Sequence, residues 1–205
     1  MLGGCSQTVY TGYENSKDAA PFLSRVVKFE TQDAFFREPP TCITVLPVLY
    51  SGDRQFKFLV EEAVARHLSV KAKRIIGPLE RQKMERRLAL DLEEVSDRQI
   101  FTKQLRCKHF AQPEIRHVET TYALVWAQRK LELGLQIHGY ERKNLLWKAS
   151  HLASRGGGGL PLSPFSLGSA LFAAGREHQD KDTLPSMIDD SFRRMLIKLP
   201  DTRQY

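Results

Sequence analysis
The sequence predicts a mainly α fold, with several amphipathic helices, one of them long, held between extended N- and C-terminal arms. Three observations predict it. Phe56, Leu59, Val60, Ala63, Val64, His67 and Leu68 recur at i, i+3, i+4 and i+7, the spacing of one helical face. Beyond Pro113, Val118, Tyr122, Val125, Leu133, Ile137, Tyr140 and Trp147 read as the stripe of one long helix. Proline- and glycine-rich stretches, including Gly156–Gly159, flank the periodic part. The expected division is an extended arm over 1–53, a helical body over 54–153, and a Gly-hinged C-terminal arm with short helices over 154–205.

Within the first arm, Thr41–Leu46 is β-rich but bounded by Pro39, Pro40 and Pro47. Proline cannot donate to a ladder, so this run is expected at a sheet edge or on a partner. Asp53 is the expected N-cap of the first helix, and Gly77-Pro78 its stop. A second helix is expected over about Leu79–Val95, with Met84, Leu88, Leu92 and Val95 inward. Ser96 and Gln99 fit a capping box, and a third helix follows over about 97–110. The long helix then reaches to about Ala153. Leu131, Leu133, Leu135 and Ile137 also alternate, as a strand would, and Gly134 and Gly139 weaken a helix. Short helices are expected near Leu167–Ala174 and over Met187–Leu199.

The net charge of +7 belongs to the middle of the chain. Residues 54–148 hold 20 Lys+Arg and 12 Asp+Glu, a balance of +8. Such a middle is drawn to something anionic. The expected docking residues are Lys71, Lys73, Arg74, Arg81, Lys83, Arg86 and Arg87. No tight cluster of five or more basic residues occurs, so the positive charge lies over helix faces. Cys5, Cys42 and Cys107 are widely spaced, without a CxxC pair, and point to a reduced compartment rather than a disulfide scaffold. Neither a secretory signal nor an Arg-rich presequence is read at the N-terminus.

Chemistry-bearing patterns are sparse. No Gly-rich phosphate loop, GxSxG elbow or RNA-binding signature is present. Cys107, His109 and His117 do not converge as a four-ligand zinc set. His67 sits on the apolar stripe and reads as a packed histidine with one satisfied nitrogen. Asp189-Asp190 are neighbours pointing apart on a helix, not an acid/base dyad. The expectation is a non-enzyme with no catalytic residue, cofactor, metal or small-molecule substrate.

Val60–Leu68 (VEEAVARHL) resembles a helix of the small helical matrix-side, ubiquinol-binding-protein type subunit of the cytochrome bc1 complex. Met84–Leu92 (MERRLALDL) is similar to that family's basic helix. The likeness covers about 35 of the 205 residues and departs from the family in the gap between the helices and in everything after 113. It implies a scaffold subunit of the respiratory chain. The sequence-based expectation is therefore a structural accessory subunit of a mitochondrial inner-membrane complex, of the respiratory chain or ATP synthase, on the matrix side. Its partners would be other protein subunits, with anionic lipid or ribosomal RNA as further candidates. The alternative is a mitochondrial ribosomal protein binding ribosomal RNA through basic helix faces.

Overall fold
The computed structural model describes residues 7–11, 27–123, 126–158 and 183–205. It is a mixed α/β structure built on a seven-stranded sheet, which corrects the mainly helical expectation. The strands are β1 (Gln7–Thr11), β2 (Lys28–Thr31), β3 (Cys42–Val45), β4 (Arg74–Ile76), β5 (His109–Ala123), β6 (Trp126–His138) and β7 (Leu145–Gly158). The helices are α1 (Asp33–Arg37), α2 (Arg54–Leu68), α3 (Pro78–Leu88), α4 (Val95–Leu105) and α5 (Thr183–Ile197). The sheet order is β1-β7-β6-β5-β3-β4, with β2 also on β7. β4, β3 and β5 are parallel, and β5, β6 and β7 form an antiparallel meander.

The expected long helix is this meander. Leu131, Leu133, Leu135 and Ile137 are all fully buried, so the alternation decides and the apparent helical stripe does not. Partner strands match it: Ala111 lies opposite Ile137, and Trp147, Ala149 and Ala153 lie opposite Ile137, Leu135 and Leu131. Pro113 stands inside β5, where its carbonyl accepts from Leu49 N at 3.0 Å. The Gln112 side-chain amide donates to the Pro47 carbonyl at 2.6 Å, a donor beside the residue that has none. Gly134 is a strand residue whose bare Cα lets a side-chain pair lie across β6. A Cβ there would stand 3.2 Å from Glu114 Oε2 and 3.3 Å from Arg116 Nε. The first three glycines of the expected hinge, Gly156, Gly157 and Gly158, pair with Gln128, Ala127 and Trp126.

The run at 42–45 is also corrected. β3 is an inner strand between β4 and β5 rather than an edge or a free arm. Its prolines stand just outside the ladder, where a missing N–H costs nothing. The helix expected over 79–95 stops at Leu88, because Ala89 turns left-handed at φ 51° and ends α3, and the next helix, α4, starts only at Val95. α2 begins where expected, with the Asp53 carboxylate accepting from Phe56 N at 2.8 Å. The short helix expected near 167–174 lies outside the described residues.

Two apolar layers enclose the sheet. On one face Val60, Val64 and Leu68 of α2 and Met187, Phe192 and Met195 of α5 pack on Val45, Leu133, Leu135 and Trp147. On the other, Leu92, Phe101 and the half-buried Met84 cover Leu46, Ile76 and Phe110. The segments expected as arms contribute to this core through Phe35, Ile43 and Leu199. The C-terminal tail is tied down too, with Thr202 N donating to Lys71 O at 2.8 Å and its hydroxyl to Pro40 O at 2.9 Å.

Cys42 and Cys107 form a disulfide, which corrects the reading of these cysteines as reduced thiols. Their wide spacing hid it, since 65 positions separate two residues that the parallel β3–β5 pairing brings together. Closing a loop of 65 residues is expected to stabilise the fold by about 4 kcal/mol through the unfolded chain. Urea denaturation with and without reductant measures this. Equal midpoints would mean that the bridge does not form in solution.

Candidate functional site
The docking residues expected from sequence do not act as one set. Arg81 is buried at 3% exposure inside an ion pair. Arg74 is engaged by Glu80 at 3.1 Å and by the Leu105 carbonyl at 3.1 Å. The Lys73 ammonium donates to the Tyr205 carbonyl. Lys71 is half-buried beside the docked tail. Lys83, Arg86 and Arg87 remain exposed on the C-terminal half of α3. Their i, i+3 and i+4 spacing puts them on one face.

Arg81 carries the main buried charge contact. One guanidinium nitrogen donates to Glu61 Oε2 at 2.9 Å and another to the Val45 carbonyl at 2.7 Å. Glu61 Oε1 accepts from Val48 N at 3.0 Å. Glu85 lies 3.5 Å from Arg81 Nε, and burial raises its carboxyl pKa while the Arg81 charge works against that. The pair thus ties α2, α3 and the end of β3 together, at the base of an open cleft of about 770 Å³ rimmed by Arg54 and Lys57. Nothing in the sequence marked Glu61 or Arg81 as partners, since 20 positions separate them.

A second cleft, about 690 Å³, opens at the amino end of β5 between α1, α4 and the β6–β7 turn. Arg37, Lys108 and Lys143 stand around it, with Glu38 on Lys108 at 3.1 Å and Glu141 on Lys143 at 2.6 Å. His109 lines it at 7% exposure. Burial lowers its pKa, with the Glu38 charge and then a hydrogen bond to the Cys42 backbone opposing. Behind the wall lies Arg98, 2% exposed, whose guanidinium donates only to carbonyls: Tyr140 at 2.7 Å, Leu92 at 2.8 Å and Glu93 at 3.2 Å. No carboxylate lies within ion-pair distance of it among the described residues. Burial lowers the Arg98 pKa, and Arg142 adds to that.

His138, fully buried and stacked on Phe110, feels the same field. Its Nδ1–H donates to the Gly139 carbonyl at 2.6 Å. Burial first, then Arg98 and Arg142, holds its pKa down to about 4. Sequence reasoning missed both Arg98 and His138, because each reads as one surface charge or one strand residue among many.

His67 bridges rather than merely packs, its Nε2 lying 2.8 Å from Asp189 Oδ1, so α2 and α5 are joined. Burial pushes the Asp189 carboxyl up, but hydrogen bonds from His67 and Arg66 outweigh it and leave the pKa lowered. Asp190 pairs with Arg193 and, at 2.7 Å, with Arg194. Cys107 is spent in the disulfide, and His117 lies 3.4 Å from Glu119. Among the described residues no three His, Cys, Asp or Glu side chains converge to hold a metal.

These features define a disulfide-linked α/β protein with two clefts and a basic helix face. The chain matches no protein-family model and no curated protein. Among solved structures it is similar to the PelC dodecamer of Paraburkholderia phytofirmans, at 11% identity, covering 87% of this chain and 99% of that one, with TM-score 0.48. It is similar to lipoprotein GNA1162 of Neisseria meningitidis, at 14% identity, 69% and 100% coverage, and TM-score 0.46. The hypothetical protein CT253 of Chlamydia trachomatis gives 12% identity, 77% and 94% coverage, and TM-score 0.39. At these scores no property of those proteins carries over to this chain.

The helical architecture behind the mitochondrial respiratory-chain expectation is corrected at this point. Its two resembling helices belong to opposite layers of an α/β sheet. No helix among the described residues is long and apolar enough to cross a membrane.

Two predictions test this chemistry. Replacing Arg81→Met strands the buried Glu61 charge and is expected to cost about 3–5 kcal/mol in urea denaturation. Adding Glu61→Gln should recover part of it, and strictly additive losses would show that the two do not interact. His138 has a folded pKa of about 4, below the unfolded value near 6.5. Its contribution is full above pH 6.5 and is lost as pH falls toward 4, by about 3 kcal/mol in all. A His138→Asn variant should show a shallower acid loss than the parent, and an unchanged slope would contradict the assignment.

Proposed function
We propose that the protein is a non-catalytic subunit of a larger assembly that docks, through the outer face of α3, on an acidic surface of a partner protein. The observation that carries this reading is the Lys83, Arg86 and Arg87 face. Among the described residues none of the three is ion-paired to a carboxylate, and Arg86 Nε reaches only its own helix, at Gln82 O. A helix C-terminus favours such cations locally, but three of them on one exposed face also make a patch that an acidic partner complements. The patch is small. A nucleic-acid footprint neutralises roughly 6–10 phosphates, so an acidic protein surface fits better than RNA. The Cys42–Cys107 bridge supports an oxidising compartment and weighs against the reducing mitochondrial matrix.

Gradient fractionation of the tagged protein, with nuclease-treated and detergent-solubilised samples in parallel, tests the reading. The expected result is a nuclease-resistant complex that Lys83→Ala/Arg86→Ala/Arg87→Ala weakens and that dissociates as salt rises. Migration as a free monomer in every sample, or a complex destroyed by nuclease, would sink it.

A further inference from the structure
The cleft at the amino end of β5 is built unlike the rest of the surface. Five cations, Arg37, Lys108, Lys143, Arg142 and the buried Arg98, gather on this end of the molecule. Against them stand Glu38 and Glu141, with Glu94 acting on Arg98 from a distance. Five against three leaves an excess of two positive charges. A buried guanidinium without a carboxylate is costly unless something else answers its field. The Thr102 hydroxyl, on the cleft wall, is buried and has no hydrogen-bond partner, which is also costly. The same lining includes the apolar residues Leu145 and Leu146 and Tyr140.

We propose that this cleft binds a small organic anion, a carboxylate carrying an apolar body. The carboxylate lies toward Thr102 and the Lys108 and Lys143 ammoniums, and the body covers Leu145 and Leu146. The hydroxyl then donates to a charged acceptor, the stronger kind of hydrogen bond. The excess positive field, which also keeps His138 neutral, is answered by the ligand. A convergent set of polar groups beside an apolar wall is the general form of a ligand site. This inference stands apart from docking through α3, which uses another face and other residues.

The test is a titration of the full, oxidised chain with octanoate at low salt, followed by backbone amide NMR. Saturable shifts are expected at Thr102, Lys108, Gly139 and Asn144, and they should weaken as salt rises. Octanol and inorganic phosphate are the controls, since each carries half of the required chemistry. Lys108→Met/Lys143→Met keeps the exposed stems and should weaken octanoate binding roughly tenfold. Thr102→Val keeps the volume and should weaken it as well. Octanol binding as tightly as octanoate, phosphate giving the same shifts at the same affinity, or both variants binding like the parent would each overturn the proposal. Absence of saturable shifts at the cleft would overturn it too.

Discussion

The structure depends most on one buried contact, the Glu61–Arg81 ion pair across the carboxyl end of β3. Its 2.9 Å hydrogen bond joins a helix of one layer to a helix of the other. Each partner also satisfies backbone at the end of the strand, at Val45 O and Val48 N. Buried ion pairs of this kind add little net stability over an apolar replacement, because desolvation offsets the Coulomb gain. What they impose is a single arrangement, since any displacement of α3 leaves the Glu61 carboxylate and the Val45 carbonyl without Arg81 in the interior. The disulfide plays the corresponding part at the other end of β3, holding Cys107 and the start of β5 beside Cys42.

Beyond β3 the meander supplies a large share of the apolar core, and α2 and α5 much of the rest. β6 turns four large side chains inward, and β7 adds Trp147, Ala149 and Ala153 on the same face. Its opposite face carries charge instead: Arg116 pairs with Glu114 at 3.1 Å, and Lys130 with Glu119 at 3.5 Å. The register shift between Ile115 and His117 places one extra residue in β5. Bulges of this kind raise local twist and re-aim side chains. Two of the places where the described residues leave positive charge unbalanced are the α3 face and the amino end of β5. Both fall within the basic middle of the sequence.

How legible this was in the sequence varies element by element. α2 was plain at its start, because its apolar period and its Asp53 cap agree and both reappear in the structure, but the expected Gly77-Pro78 stop does not end it: α2 closes at Leu68, β4 intervenes, and Gly77-Pro78 opens α3. α5 was legible too, over slightly different bounds. The meander was not, because its strands satisfy both periods. Tertiary pairing, rather than local preference, settled Leu131–Ile137 as a strand, and Gly134 was the local hint. β3 was misplaced because its flanking prolines were weighed as if they stood within the ladder. Of the candidate sites, the α3 cations were readable as charge on an exposed face. The Glu61–Arg81 pair, the Cys42–Cys107 bridge and the convergence on the amino-end cleft were not, since each joins residues far apart in sequence. No single-sequence pattern encodes which distant groups will share a low-dielectric interior.

The central claim is that the buried pair makes the two helical layers one cooperative unit. Native-state hydrogen exchange measures this directly. The account predicts that the Val48 amide and the protected amides of α2 and α3 open together, at one free energy close to that of global unfolding. A separate, lower-energy opening of α3 with α2 and Val48 still protected would contradict it.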